Sequence, residues 1–377
     1  MSNVIYILII LLVIAIIYKK TEYKTFKQIK NSDISDFFLG NISIENIGYL
    51  KKPILWIHCP IEYNARHWQS FYSRSSYDLN QPYLYLTTKS IIQYCQDSFQ
   101  IVIFDDTSFS KIIPDWSHSE LPLHCTTRLL GFLKILYTYG GLITPISFLC
   151  LKDLLPLYRN GIRNNKMFVC ENVNYNTLQN TLFIPDYHFM GAPKHNHYIQ
   201  TFYTYVYNNI YPDKTYNKKI TGKIEEYLNT LIVSNKINVI SGFDTGVMTN
   251  KETPIYIDDL LSSKYLHIDN SSIYGIWIPS EQILNRPKFL WFASLSEEQI
   301  INSNFILSKY IMLSNIPKYK TEIYKDSIEN NNNNNQITGE KDWVAFWKTP
   351  LFNGVYGLKP LYLGNNVPYA TMPSESD

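Results

Sequence analysis

The sequence predicts an α/β fold, and three stretches carry that prediction. In Arg128–Leu154, residues Leu129, Phe132, Leu133, Leu136 and Tyr139 recur at helical spacing, two glycines interrupt, and an Ile-, Leu- and Phe-rich run follows over Leu142–Leu149. Glycine enters left-handed backbone without a Cβ clash, so Gly140-Gly141 ends the helix, and the run behind it reads as a buried strand. Pro53–His58 is a second short apolar run, closed by a turn at Cys59-Pro60. Phe99–Asp106 is a third, apolar until it ends in two carboxylates. Ligands of open α/β sheets sit beyond the carboxyl ends of the strands. Asp105 and Asp106 therefore either meet a ligand, such as a ribose hydroxyl, or cap the next helical turn.

The totals set the outer limits. A chain of 377 residues, 45% hydrophobic and 15% aromatic, has material for one large α/β domain or two smaller ones. A net charge of +2 with no dense basic stripe argues against nucleic acid as a ligand. Cys59, Cys95, Cys125, Cys150 and Cys170 form no CxxC pair and most follow apolar residues, which reads as reduced, buried thiols. The 31 tyrosines, with abundant Asn, Ile and Lys, fit an A/T-rich coding sequence such as that of a large DNA virus.

Taken in order, the chain opens on Val4–Tyr18, almost wholly aliphatic and followed by Lys19, Lys20, Lys24, Lys27 and Lys30. Basic residues behind the apolar run, and no small-residue cleavage site, favour an uncleaved transmembrane helix over a signal peptide. The positive-inside rule puts the body on the cytoplasmic side, where the sequons at Asn41 and Asn270 go unused. The resulting division is an anchor over 1–20, a juxtamembrane segment over 21–50 and a globular domain over 51–315. Within it, Pro82–Thr87 reads as strand, Ser90–Asp97 as a short helix and Pro114–Pro122 as a loop entering the Arg128 helix. Met167–Glu171 reads as strand, and Tyr198–Asn208 and Lys223–Val233 as helices. Ile237–Gly246 reads as a strand and turn, and Glu297–Met312 as the last helix. Ile276–Pro279 and Phe289–Phe292 read as apolar strands or docking segments. Asp186, His188, His195 and His197 gather metal-ligand chemistry in one stretch, although surface histidines explain them as well. An Asn-rich linker over 316–340 and an aromatic arm over 341–377, suited to docking a protein partner, close the chain.

Leu136-Tyr-Thr-Tyr-Gly-Gly-Leu-Ile143 resembles the L-Y-x-Y-G-G-I-Y of the DXD-type glycosyltransferases, a family that includes α-mannosyl and capsular polysaccharide synthesis enzymes. Pro53–His58 resembles that family's opening P-K-I-I-H strand, and Met190–Asn196 its small-residue turn before a helix, so the likeness spans roughly residues 51–208. The resemblance implies a GT-A-like, Rossmann-like mixed sheet flanked by helices. It also implies a nucleotide-sugar donor, a glycan or lipid acceptor, and a donor pocket near His58, Gly140 and Gly141. In the family the double glycine leads into D-x-D, whose carboxylates hold a divalent metal against the donor diphosphate. Here those positions are Pro145 and Ser147, which supply no carboxylate for a hard cation, so no divalent metal is expected. The family's helix arginine is replaced by Phe132, and Arg128 lies one turn earlier. Arg66, Arg74 and Arg128 are then the candidates to neutralise a diphosphate without metal, with Ser147 beside them. Asp244, the acid of the Ser241–Gly246 turn, is the candidate catalytic base. Two functions stand at this point: a membrane-anchored, metal-independent sugar transferase, or an inactive membrane or virion component on the same scaffold.

Overall fold

The computed structural model describes residues 34–39, 47, 52–60, 81–118, 121, 123–175, 181–212, 218–263, 266, 268 and 272–315. The expected anchor over 1–20, Arg66, Arg74, Pro122, the sequon residues Asn41 and Asn270, the Asn-rich linker and the C-terminal arm lie outside them. Among the described residues no helix is long and apolar enough to cross a membrane.

The two apolar runs that end near His58 and Asp106 form β1 (Ile54–Cys59) and β2 (Gln100–Asp105), paired in parallel from Ile54↔Gln100 to Cys59↔Asp105. Parallel neighbours need a crossover, and helix α1 (Pro82–Cys95) lies in the chain between them. Its first half is the segment expected as a strand. Pro82 opens the helix, and burial of Tyr83, Leu84, Leu86, Thr87, Thr88, Ser90, Ile91 and Ile92 covers nearly its whole circumference. A segment buried all round loses the pattern that separates helix from strand.

Helix α2 (Cys125–Tyr139) runs back along the sheet and stops at Gly140. The single strand expected over Leu142–Leu149 is two. β3 (Gly141–Thr144) pairs in parallel with β1, and β4 (Phe148–Cys150) leaves to pair antiparallel with β8 (Gly275–Trp277). Pro145 separates them, since proline has no N–H for a sheet ladder, and Phe148 N–H instead turns back to the Pro145 carbonyl at 3.0 Å.

The remaining strands are β5 (Phe168–Val173), β6 (Phe183–Ala192) and β7 (Asn238–Ile240). They complete a six-stranded mixed sheet of order β2-β1-β3-β6-β5-β7, in which β6 alone runs against the others. Helices cover both faces. Trp56, Val102, Phe104, Ile143, Val169 and Met190 pack with Leu129, Leu133 and Leu136 of α2. The same cluster takes in Ile199 and Phe202 of α4 (His197–Asn209) and Ile224 and Leu228 of α5 (Lys218–Val233). On the other face Leu55, Ile57, Ile103, Phe168 and Phe189 pack with Ile91 and Ile92 of α1 and Leu157 of α3 (Leu155–Gly161). A third cluster joins the front of α1 to the C-terminal segments. There Phe289–Phe292 is helical rather than extended, and the expected last helix divides into Glu297–Ile301 and Ile306–Asn315.

Candidate functional site at the carboxyl ends of the strands

From β1 the chain crosses to β2 on one side and then to β3 on the other. Such a reversal opens a crevice beyond the carboxyl ends of the two strands it separates, here β1 and β3. His58-Cys59, Asp105-Asp106 and Thr144-Pro145 stand at those ends. Because β6 is antiparallel, its early residues reach the same end while Ala192 pairs with Gly141 at the other.

Three residues singled out from sequence meet here in one buried unit. The Asp106 side chain is wholly inaccessible. It accepts Arg128 Nη2–H at 2.8 Å on Oδ2, Arg128 Nε–H at 3.0 and 3.2 Å, and His58 Nε2–H at 2.8 Å on Oδ1. Burial alone would raise the Asp106 pKa, but the hydrogen bonds and charges of His58 and Arg128 outweigh it and hold the carboxyl low. For His58 burial wins over Asp106, so its pKa falls and the ring is neutral at pH 7. A carboxylate with every lone pair spent on protein donors has none left for a ribose. The unit is a strut that ties α2 to the ends of β1 and β2.

The other expected ligand contacts are also engaged internally. Asp105 caps the 3₁₀ turn Asp106–Ser108, accepting Ser108 N–H at 2.9 Å and the Thr107 hydroxyl at 2.7 Å. Ser147 is buried and donates its hydroxyl to the Ile278 carbonyl at 2.9 Å. Gly140 and Gly141 begin β3 rather than end it, which puts them roughly 10 Å from Thr144 at 3.3 Å per residue. The pair therefore lies at the opposite end of β3 from Thr144. Both have positive φ (70° and 106°), and a Cβ on Gly141 would collide with the Ile54 carbonyl oxygen. Asp244 lies in the turn after β7, where burial raises its pKa, but two strands, β6 and β5, stand between β7 and β3, which sets those strands about 14 Å apart at ordinary spacing.

The second polar unit was visible in sequence only as part of a loose metal cluster, and the structure divides that cluster. His195 and His197 follow β6 at the amino edge of the sheet, where His195 N–H bonds the Tyr137 carbonyl at 2.8 Å. Asp186 and His188 stay at the carboxyl edge. Between Val169↔Met190 and Cys170↔Asp186 the register jumps by three residues of β6, Tyr187, His188 and Phe189. Such a bulge re-aims side chains. Asp186 Oδ1 accepts both the backbone N–H of His188 at 2.9 Å and its Nδ1–H at 2.7 Å, while Oδ2 accepts Asn172 Nδ2–H at 2.8 Å. The His188 ring stacks on Tyr187 with centroids 4.1 Å apart. When the ring is neutral, donation of Nδ1–H to Asp186 leaves the lone pair on Nε2; the side chain is 43% exposed against 15% for Asp186.

Burial would lower the His188 pKa, but the charge and hydrogen bond of Asp186, with the charge of Glu281, raise it; Arg128 opposes them. Asp186 is correspondingly held low, its burial outweighed by His188 and Asn172. Glu225 of α5 is raised to about 7 by burial and then by the charge of Asp186.

Among the described residues no three His, Cys, Asp or Glu side chains are arranged to hold a metal ion. The position of the family's metal is filled by a proline and by a serine whose hydroxyl donates elsewhere, so the residues present do not fit that ion. No protein-family model matches the chain, and no curated protein matches it.

Proposed function

We propose that the chain is a GT-A-like glycosyltransferase that takes a nucleotide sugar in the crevice between β1 and β3 without a divalent metal at the D-x-D position. One observation carries the reading: the helix, Gly-Gly and strand unit that resembles the DXD-type family delivers Thr144-Pro145 to the sheet's reversal point. The buried Thr144 hydroxyl there has no hydrogen-bond partner among the described residues, which native interiors rarely leave so. Residues 1–20 anchor the protein to a membrane with its body on the cytoplasmic side, and the acceptor is a glycan or lipid at that surface. A second reading, an inactive binding scaffold, is favoured by one specific fact: Asp106, Arg128 and Ser147 all spend polar atoms on internal bonds.

Calorimetric titration of the full chain in detergent with UDP-glucose, UDP-N-acetylglucosamine and GDP-mannose, with and without Mn²⁺, tests the proposal. Binding of at least one donor, equal in the two conditions, is the expected result. No binding at millimolar donor would overturn it.

A further inference from the structure

Every histidine–carboxylate contact in this fold can be asked what its second nitrogen does. In His58 the bonded nitrogen is Nε2 and the ring is buried among Phe104, Phe109 and Phe132. In His188 the bonded nitrogen is Nδ1, and Nε2 has no hydrogen-bond partner among the described residues. A carboxylate on Nδ1–H, itself fixed by a third group, is the arrangement that orients and strengthens an imidazole base. Asn172 is that third group.

We propose that His188, presented by the β6 bulge and oriented by Asp186, is the base that deprotonates the acceptor hydroxyl in this crevice. The proposal rests on the nucleotide-sugar reading above and names the residue that performs its chemistry. The hydroxyl oxygen forms a bond to the donor's anomeric carbon as the bond from that carbon to the diphosphate oxygen breaks. The nucleoside diphosphate leaves with the electron pair. The hydroxyl proton passes to His188 Nε2, and the imidazolium, held against ionised Asp186, later returns it to water.

The surroundings select this role over two others. The charges facing the ring are Asp186 on β6, Glu281 on the helical segment Ser280–Asn285 and Arg128 on α2, the last already paired with Asp106; Glu225 on α5 faces Asp186 from behind. Two carboxylates against one compensated cation disfavour an anion at Nε2 and suit a neutral hydroxyl. A metal would need further ligands, and among the described residues no third His, Cys, Asp or Glu is arranged to supply one. Asp244, the base expected from sequence, has a raised pKa but no side-chain group orienting it among the described hydrogen bonds.

The test measures donor binding and release of nucleoside diphosphate from UDP-glucose, UDP-N-acetylglucosamine and GDP-mannose by the full chain, with water or a soluble sugar as acceptor. His188→Gln should lower kcat by about 10²–10⁴-fold, the usual weight of a positioned base. Donor KM should stay within about twofold, since the base acts on the acceptor's proton rather than on donor binding. Added imidazole should restore part of the rate to His188→Ala. Asp186→Asn, which removes the group raising the His188 pKa, should move the rising limb of the pH–rate profile to lower pH. Release at the wild-type rate by His188→Gln overturns the proposal while leaving the donor site standing. Donor binding without turnover by the unaltered chain also overturns it and favours the scaffold reading. Absence of donor binding sinks the nucleotide-sugar reading itself.

Discussion

His58–Asp106 and His188–Asp186 are the same pair of side chains in two settings, at one end of one sheet. The first is sealed: Asp106 is inaccessible and takes donors from His58, Arg128 and the Leu123 backbone. The second leaves the His188 side chain 43% exposed, with no hydrogen-bond partner for Nε2 among the described residues. The His58 side chain is 8% exposed, and a histidine beside a carboxylate can meet a ligand only where the ring is accessible. The difference arises in the backbone. His58 ends a regular strand under α2, whereas His188 stands on a three-residue bulge that turns it away from the ladder.

The largest expected effect breaks the sealed unit. Asp106→Ala removes the inaccessible carboxylate that both the partly buried Arg128 guanidinium and the buried His58 ring bond to, and loss of about 3–5 kcal/mol in denaturant unfolding is expected. Replacing Arg128 and Asp106 together by Met and Leu should recover most of that loss, because a buried pair contributes little over apolar residues of like volume. Next comes Gly141→Ala, which puts a Cβ against the Ile54 carbonyl at φ 106°. It should cost about 1–3 kcal/mol, read by the same unfolding curves, with no direct effect at the crevice. His188→Gln should change stability by less than about 1 kcal/mol, since its ion pair is partly exposed.

The two units should also answer pH in opposite directions. Asp106 has a lowered folded pKa, so its contribution is present above the unfolded value near 3.9 and is lost as pH falls through the folded value. His188 has a raised one, so its contribution is present below about 6.5 and is lost as pH rises through the folded value. Stability of wild type minus Asp106→Ala should shrink on acidification, and that of wild type minus His188→Gln should shrink on making the solution alkaline.

Much of the sheet was legible. β1, β2, α2 and the glycine stop carry single, strong periodicities, and the structure has them within a few residues of where the sequence puts them. The misses have physical causes. Pro82–Thr87 alternates like a strand because its helix is covered on nearly every side, and Pro145 breaks a run whose composition is uniform. At the site, strand ends drew attention to His58, Asp105 and Asp106 and helical position to Arg128, but which of them are consumed internally depends on contacts 22 to 48 residues apart in sequence. The Asp186–His188 pair did leave a signal, since residues two apart on a strand share a face. What hid its role was grouping it with His195 and His197, which the antiparallel course of β6 carries to the other edge.

Receipt of a nucleotide sugar against His188, with His58 serving only the fold, can be tested directly. Histidine-labelled full chain, titrated with each donor and followed by imidazole ¹⁵N resonances, measures both halves at once. Donor addition should shift the His188 ring signals, identified by their absence in His188→Gln, and leave those of His58, His195 and His197 in place. Saturation with a bound donor that leaves the His188 ring unmoved would contradict it.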